Sequence, residues 1–175
     1  MVLGLRRPPG TNLAAVRVVL PSIIAYLLSF AYLAIYWNNH HHMFQVIESV
    51  NGAILWANMH LLFWLSLVPF VTGWMAETHG AALPTAAYGI VLLLSAAAYT
   101  ILEGRVIAHQ GERSPFAEAR GDDRKERLSL ALYIAAVPLA FLRPWIADLL
   151  YLTVALIWLV PDPRIETHLE RRKRP

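Results

Sequence analysis

The sequence contains no cysteine, and this absence excludes several kinds of chemistry at once. The chain cannot have a disulfide framework, a thiolate nucleophile or a cysteine-based zinc site. Charged side chains are also scarce, at 15% of the residues, whereas hydrophobic residues make up 57% and the mean hydropathy is +0.46. These proportions do not fit a soluble domain and indicate an integral membrane protein.

The amino end also lacks the features of a cleavable signal peptide. The basic, proline-rich segment 6–10 follows a very short apolar start, and no small-residue cleavage pattern closes the next apolar run. We therefore expect the first hydrophobic segment to remain in the protein. The net charge of +3 does not indicate nucleic-acid binding, because the basic residues lie in the loops and tail of a lipid-soluble chain.

Long apolar stretches predict one all-α membrane domain over residues 1–175, a polytopic helix bundle with five spans. About 20 apolar residues in a helix match the thickness of a hydrocarbon core, roughly 30 Å. Gly and Pro residues and a cluster of charges separate the stretches. The predicted spans are 16–37, 51–74, 83–102, 128–142 and 145–160.

The segment 128–160 allows two interpretations, one kinked helix or two short spans on either side of Arg143 and Pro144. Charge placement favours two spans. The mixed-charge loop 103–127 and the basic tail 161–175 then lie on one side with 11 of the 15 Lys and Arg residues. The positive-inside bias assigns that side, and therefore the carboxyl terminus, to the cytoplasm, with the amino terminus outside.

The histidine run 40–42 is the sharpest candidate for a metal site. Consecutive helical residues point about 100° apart, so the three rings cannot all meet one ion. No His, Asp or Glu stands at a zinc-like spacing, and the other histidines form neither oxygenase boxes nor haem pairs. Tyr36, Trp37 and Phe44 fit an aromatic belt at the membrane interface instead. We therefore expect neither a metal nor a cofactor.

Other polar side chains in the apolar spans are the next candidates. Asn58 and His60 lie deep in the second span, where unpaired polar groups are costly. They either fix helix packing through hydrogen bonds or make a pore-side, gating contact. In the first span Ser22, Tyr26 and Ser29 recur at helical spacing. We expect this stripe to face other helices, because small residues allow close approach and hydroxyls need partners.

Several segments, taken in order, resemble a known family. They are 21–30 (PSIIAYLLSF), 35–44 (IYWNNHHHMF), 61–70 (LLFWLSLVPF) with Glu77 following, and the closing Pro144-Trp145 and 158–165 (WLVPDPRI). Together they resemble the prokaryotic branch of the transmembrane protein 175 family of lysosomal-type potassium leak channels. The resemblance extends over nearly the whole chain.

The resemblance implies a six-helix subunit that assembles as a tetramer around a central potassium pore. In the family the first helix lines the pore and carries a basic residue followed by Phe-Ser-Asp. This sequence contains no Phe-Ser-Asp. We therefore expect a chain shortened at its amino end, without the family's pore constriction. Trp37, His41, Asn58 and His60 are, by the same resemblance, candidates for a polar network beside the pore helix.

Three functions are compatible with the sequence. The first is a potassium channel subunit, not an enzyme, that lets K+ permeate passively through the cell membrane. It would need no cofactor, and its partners would be the lipid bilayer and further copies of itself, without nucleic acid. The second is a non-conducting scaffold or regulatory subunit. The third and weakest is a membrane enzyme that uses the histidine run.

Overall fold

The computed structural model describes residues 11, 13–47, 49–111, 114, 117 and 124–159. Regular secondary structure in these residues is entirely α-helical, which confirms the all-α prediction. The first ten residues and the predicted tail 161–175 lie outside the described part. The five helices found in the described ranges are α1 (Leu13–Val46), α2 (Gly52–Glu77), α3 (Ala82–Gln110), α4 (Arg124–Leu142) and α5 (Pro144–Leu159).

The first three helices are long and apolar enough to cross a membrane. Their qualifying segments are Val16–Gln45, Gly52–Glu77 and Ala82–Gln110. Helix α5 is equally apolar but has only 16 residues. At 1.5 Å per residue it measures about 24 Å, less than a hydrocarbon core of roughly 30 Å. The bundle is therefore compatible with a polytopic membrane protein.

Helices α1 and α3 continue beyond the spans predicted from hydropathy. The segment 38–50 lies between the first two predicted spans, but α1 runs through the histidine run to Val46. The loop expected at 103–127 is also shorter at both ends, because α3 includes residues 103–110 and α4 begins at Arg124. Hydropathy marks where apolar residues stop, whereas α3 ends only at Gly111, whose φ of 91° is not helical. Charged residues such as Arg and Glu are good helix formers.

Residues 124–159 form two antiparallel helices and not one kinked helix. Pro144 lacks a backbone N–H and restricts the preceding residue, so the chain leaves the helical path at Arg143. The Trp158 indole N–H, near the end of α5, donates to the Ser129 hydroxyl near the start of α4 over 2.8 Å. The two helices therefore run side by side in opposite directions.

Helix α3 lies at the centre of the bundle and packs against α2, α4 and α5. Two groups of buried side chains surround it. One group joins all five helices and includes Tyr32, Val68, Leu92, Tyr133 and Tyr151. The other joins the last turns of α1 to α2 and α3 and includes Met43, Ile54, Leu61, Leu102 and Val106.

Most Ser and Thr hydroxyl groups of the described helices are satisfied by their own helix. Each donates to the carbonyl oxygen one turn earlier, at 2.7 to 3.2 Å. In an apolar environment such local bonds remove the cost of an unpaired polar group. These hydroxyls belong to Ser29, Thr72, Ser95, Thr100, Ser129 and Thr153.

The closest approach between α3 and α5 depends on Gly89. A Cβ atom at this position would overlap the Tyr151 hydroxyl oxygen and lie 2.8 Å from the ring carbon that carries it. The Tyr151 hydroxyl occupies this space and donates to the Thr85 carbonyl oxygen over 3.1 Å. Only glycine therefore allows Tyr151 to reach the backbone of α3.

The connection between α1 and α2 is attached to the end of α3 by His109. Asn51 caps α2, because its side-chain oxygen accepts from the Ile54 N–H at 3.0 Å. Its amide nitrogen is then left to donate to His109 Nδ1, also at 3.0 Å. With Nδ1 acting as an acceptor, the neutral ring carries its proton on Nε2, which donates to the Ser49 hydroxyl at 3.1 Å.

We expect Gly89→Ala to destabilise the bundle. The added methyl group must displace the Tyr151 ring and break its bond to Thr85, and overpacking of this kind costs about 1 to 3 kcal/mol. Gly104→Ala is the matched control, since it lies in the same helix with no atom within 4 Å of the added Cβ. It should be neutral or stabilise by up to about 1 kcal/mol.

Thermal unfolding of the two variants in the same detergent, followed by circular dichroism, measures the difference. Equal unfolding temperatures for Gly89→Ala and Gly104→Ala would show that the contact between Gly89 and Tyr151 does not limit the packing of α3 against α5.

Candidate functional site

The last turns of α1 bring the histidine run against the first half of α2. Here His40 Nε2 lies 2.8 Å from the side-chain oxygen of Asn58. An amide oxygen can only accept, so His40 donates through a proton on Nε2. The bond is partly buried and joins α1 to α2. It is therefore a polar contact between helices of the kind expected for Asn58.

Trp37 flanks this contact on the outer side. Its ring stacks on His40 with a centroid distance of 5.9 Å, and on His41 at 6.2 Å. Phe44 covers the other side of His40 at 4.5 Å. Because 65% of Trp37 is exposed, its ring shields the His40–Asn58 bond from the outside and does not lie in the core.

The other two predicted members of the polar network do not join it. His41 bonds to Gln45, one turn later on α1, at 2.8 Å. His60 accepts from the indole N–H of Trp64 on its own helix at 2.9 Å and is exposed. The structure brings His40, which was not among the predicted members, against Asn58. The reason is helical rotation: neighbouring residues differ by about 100°, so His41 turns away from α2 when His40 faces it.

The predicted stripe on α1 is displaced by part of a turn. Ser29 is buried, and its hydroxyl donates to the Ala25 carbonyl oxygen over 2.8 Å, whereas Ser22 and Tyr26 are only half-buried. The side chains that face the other helices follow a spacing of three and four residues. They are Ala25, Ser29, Tyr32, Tyr36, Asn39 and Met43.

A group of tyrosines in the interior was missed by the sequence analysis. Tyr88 on α3 packs edge-on against Tyr32 on α1, at a centroid distance of 5.9 Å, and against Tyr151 on α5, at 5.3 Å. The Tyr32 hydroxyl donates to the Tyr151 carbonyl oxygen. Tyr88 and Tyr99 stand eleven residues apart on one face of α3. That spacing was the available signal that α3 presents an aromatic face to its neighbours.

Among the described residues, no three His, Asp or Glu side chains come close enough together to hold a metal ion. Of the three histidines of α1, His40 bonds to Asn58 and His41 bonds to Gln45. The geometry of this region is therefore that of a joint between helices.

The outer surfaces of α1 and α2 are strongly apolar. In the isolated chain the first half of α1 and one face of α2 expose large side chains over more than 40% of their area. Such surfaces fit lipid or another protein subunit and not water. The most exposed include Val18, Ile24, Leu27, Phe30, Trp56, Phe63 and Phe70.

Comparison with known proteins identifies a family and three curated relatives. The family described as "Endosomal/lysosomal potassium channel TMEM175" matches residues 1–69. A protein of Chryseobacterium sp. named a potassium channel is 51% identical over 170 residues, which is 97% of this chain and 88% of that protein. No solved structure matches the chain significantly.

Two further proteins named potassium channels are more distant. One, from Chamaesiphon minutus, is 29% identical over 73% of this chain and 66% of its own length. The other, from Streptomyces collinus, is 31% identical over 58% of this chain and 53% of its own length. The alignment with the Chryseobacterium protein covers 97% of this chain and 88% of that protein, so the resemblance inferred from the motifs is confirmed. The chain belongs to the prokaryotic branch of the TMEM175 potassium channel family.

Proposed function

We propose that this protein is a potassium channel subunit through which K+ permeates passively across the cell membrane. The observation that carries the proposal is the 51% identity to a bacterial protein named a potassium channel, over 88% of that protein's length. The three long apolar helices agree with a membrane location. K+ is then the permeant ion and not a cofactor, and permeation requires no catalytic residue.

The conducting path is proposed to lie between copies of the subunit. In the described residues Met43, Ile54, Leu61, Leu92 and Leu102 are completely buried in the core of the bundle. We propose that the ion does not pass through this core. The exposed apolar faces of α1 and α2 provide surface for assembly. A homotetramer is the arrangement implied by the family resemblance.

We propose a cytoplasmic location for the bundle end that carries the carboxyl terminus. In the described residues Arg105, Arg124, Lys125 and Arg127 lie near this end, whereas the opposite end has Arg17 and Arg143. An excess of Lys and Arg in cytoplasmic segments is the usual bias of membrane proteins. It supports this orientation.

The His40–Asn58 bond is proposed to set the position of α1 against α2. Both helices carry the apolar surfaces that would face neighbouring subunits, so their relative rotation determines which side chains meet there. Trp37 and Phe44 shield the bond. His60, which bonds only within α2, has no part in this joint.

Reconstitution into potassium-loaded liposomes tests the channel proposal directly. We expect K+ efflux down its gradient above that of protein-free vesicles, read out in the presence of a protonophore by a dye that reports the compensating proton uptake. Valinomycin added at the end shows that the vesicles are sealed and loaded. Sealed vesicles that contain folded protein but release no K+ before valinomycin would contradict conduction and favour the scaffold function.

The metal content of the purified protein separates the channel from the enzyme alternative. A histidine-dependent membrane enzyme requires bound metal in a fixed ratio to the chain. We expect elemental analysis after purification without chelators to find far less metal than one ion per chain. A stoichiometric metal that is lost in His40→Ala would overturn this expectation.

A double-mutant cycle measures the joint between α1 and α2. We expect His40→Ala and Asn58→Ala to destabilise the protein non-additively, with a coupling free energy of about 0.6 to 1.7 kcal/mol, the range for polar contacts between membrane helices. Both variants should also lower K+ flux at equal protein content. His60→Ala is the matched control and should show no coupling to Asn58→Ala. Additive effects in the His40–Asn58 cycle would argue against the joint.

A further inference from the structure

The hydrogen bonds that join Asn51 to Ile54 and to His109 have fixed directions. The Ile54 backbone N–H can only donate, so the Asn51 atom that lies 3.0 Å from it is the side-chain oxygen. The amide nitrogen therefore lies on the other side, 3.0 Å from His109 Nδ1, and it too can only donate. His109 Nδ1 must accept this bond, and only the neutral imidazole has a ring nitrogen that accepts. We call the bond between Asn51 and His109 the clasp.

A protonated His109 ring does not fit the clasp. Both of its nitrogens carry a hydrogen atom, so Nδ1 would present a donor to the donors of the Asn51 amide. Nε2 is unaffected, since it already donates to the Ser49 hydroxyl at 3.1 Å. The Asn51 amide could accept from the charged ring only by turning over, and its oxygen would then leave the Ile54 N–H. The charged ring and the cap of α2 therefore compete for a single oxygen atom.

The surroundings of the two bonds indicate which one survives. The bond between Ile54 and Asn51 is partly buried, where a backbone N–H without a partner is costly. The clasp and the His109 side chain are exposed, so water can hydrate the charged ring in place of Asn51. We therefore expect α2 to keep its cap and the protonated ring to leave Asn51.

The charged groups near His109 do not favour a positive ring in the clasp. Arg105 lies one turn earlier on α3, so its like charge repels a protonated ring. The described residues of the connection and of the helix turns beside it, 43–47 and 49–55, include no charged side chain. Glu103 on α3 is buried and already takes part in an interaction within the protein. The other titratable groups near this end of α1 are His41 and His42.

We propose that His109 is a proton-sensitive switch, which holds the connection between α1 and α2 to the end of α3 only while its ring is neutral. Histidine gains its charge between about pH 8 and about pH 5. Because the clasp binds the neutral ring alone, its contribution to stability is present at the upper end of this range and lost at the lower end. In the proposed orientation this end of the bundle is cytoplasmic, so the switch responds to the pH of the cytoplasm.

A double-mutant cycle of Asn51→Ser and His109→Ala, carried out at about pH 8 and at about pH 5, tests the switch. Serine retains an oxygen that can cap α2 but has no amide nitrogen to reach His109. From equilibrium unfolding in the same detergent we expect the two substitutions to be non-additive at the higher pH and additive at the lower pH. The cycle cancels the titration of groups that neither substitution contacts.

The matched control replaces His109→Ala by His41→Ala, because His41 is another exposed histidine and bonds to Gln45. This cycle should be additive at both pH values. Equal coupling between Asn51 and His109 at both pH values, or none at the higher one, would overturn the proposal.

NMR of the chain with isotope-labelled histidine gives a second test that requires no unfolding. The signals of His109 are identified by their loss in His109→Ala. At the higher pH we expect the ring proton on Nε2, because Nδ1 accepts from Asn51. A neutral ring with its proton on Nδ1 would contradict the clasp. Neither measurement depends on ion conduction.

Discussion

The side chain of Tyr151 makes the contact on which the packing of four helices depends. Its ring enters the space left by Gly89 on α3, and its hydroxyl bonds to the Thr85 carbonyl oxygen. Its own carbonyl oxygen accepts from Tyr32 on α1, and its ring lies 6.2 Å from that of Tyr133 on α4. Helix α5 is short, so one residue that supplies apolar area and two hydrogen bonds accounts for much of its attachment.

Polar contacts between helices are few in the described residues, because most hydroxyl groups bond within their own helix. Three of those that join helices lie on the second half of α1, where Tyr32, Asn39 and His40 reach α5 and α2. Helices that already lie in lipid gain no hydrophobic free energy when they associate, so hydrogen bonds and close packing decide their arrangement. Helix α1 is therefore anchored by its second half, while its first half exposes apolar side chains.

The parts of the fold that depend on one helix alone were predictable from the sequence. Apolar runs of about 20 residues indicate helices that can cross a membrane, and the restriction at Pro144 separates the last two. The ends were less predictable, since hydropathy does not reveal that α3 continues to Gly111. The choice of His40 over His41 depends on the rotation of α1 relative to α2. This rotation is set by how the two helices pack against each other, so the sequence of either helix alone does not determine it.

Asn51 serves two purposes with one side chain, and this limits how the position can change. Its oxygen caps α2, and its nitrogen bonds to His109 at the end of α3. Alanine would lose both bonds. Aspartate would keep the cap but would present a second oxygen to His109, so the neutral ring would have to carry its proton on Nδ1 to bond there. The Ser49 hydroxyl would then have to donate to Nε2 and no longer accept from it. A single-atom exchange at position 51 would therefore reverse the direction of both hydrogen bonds of the His109 ring.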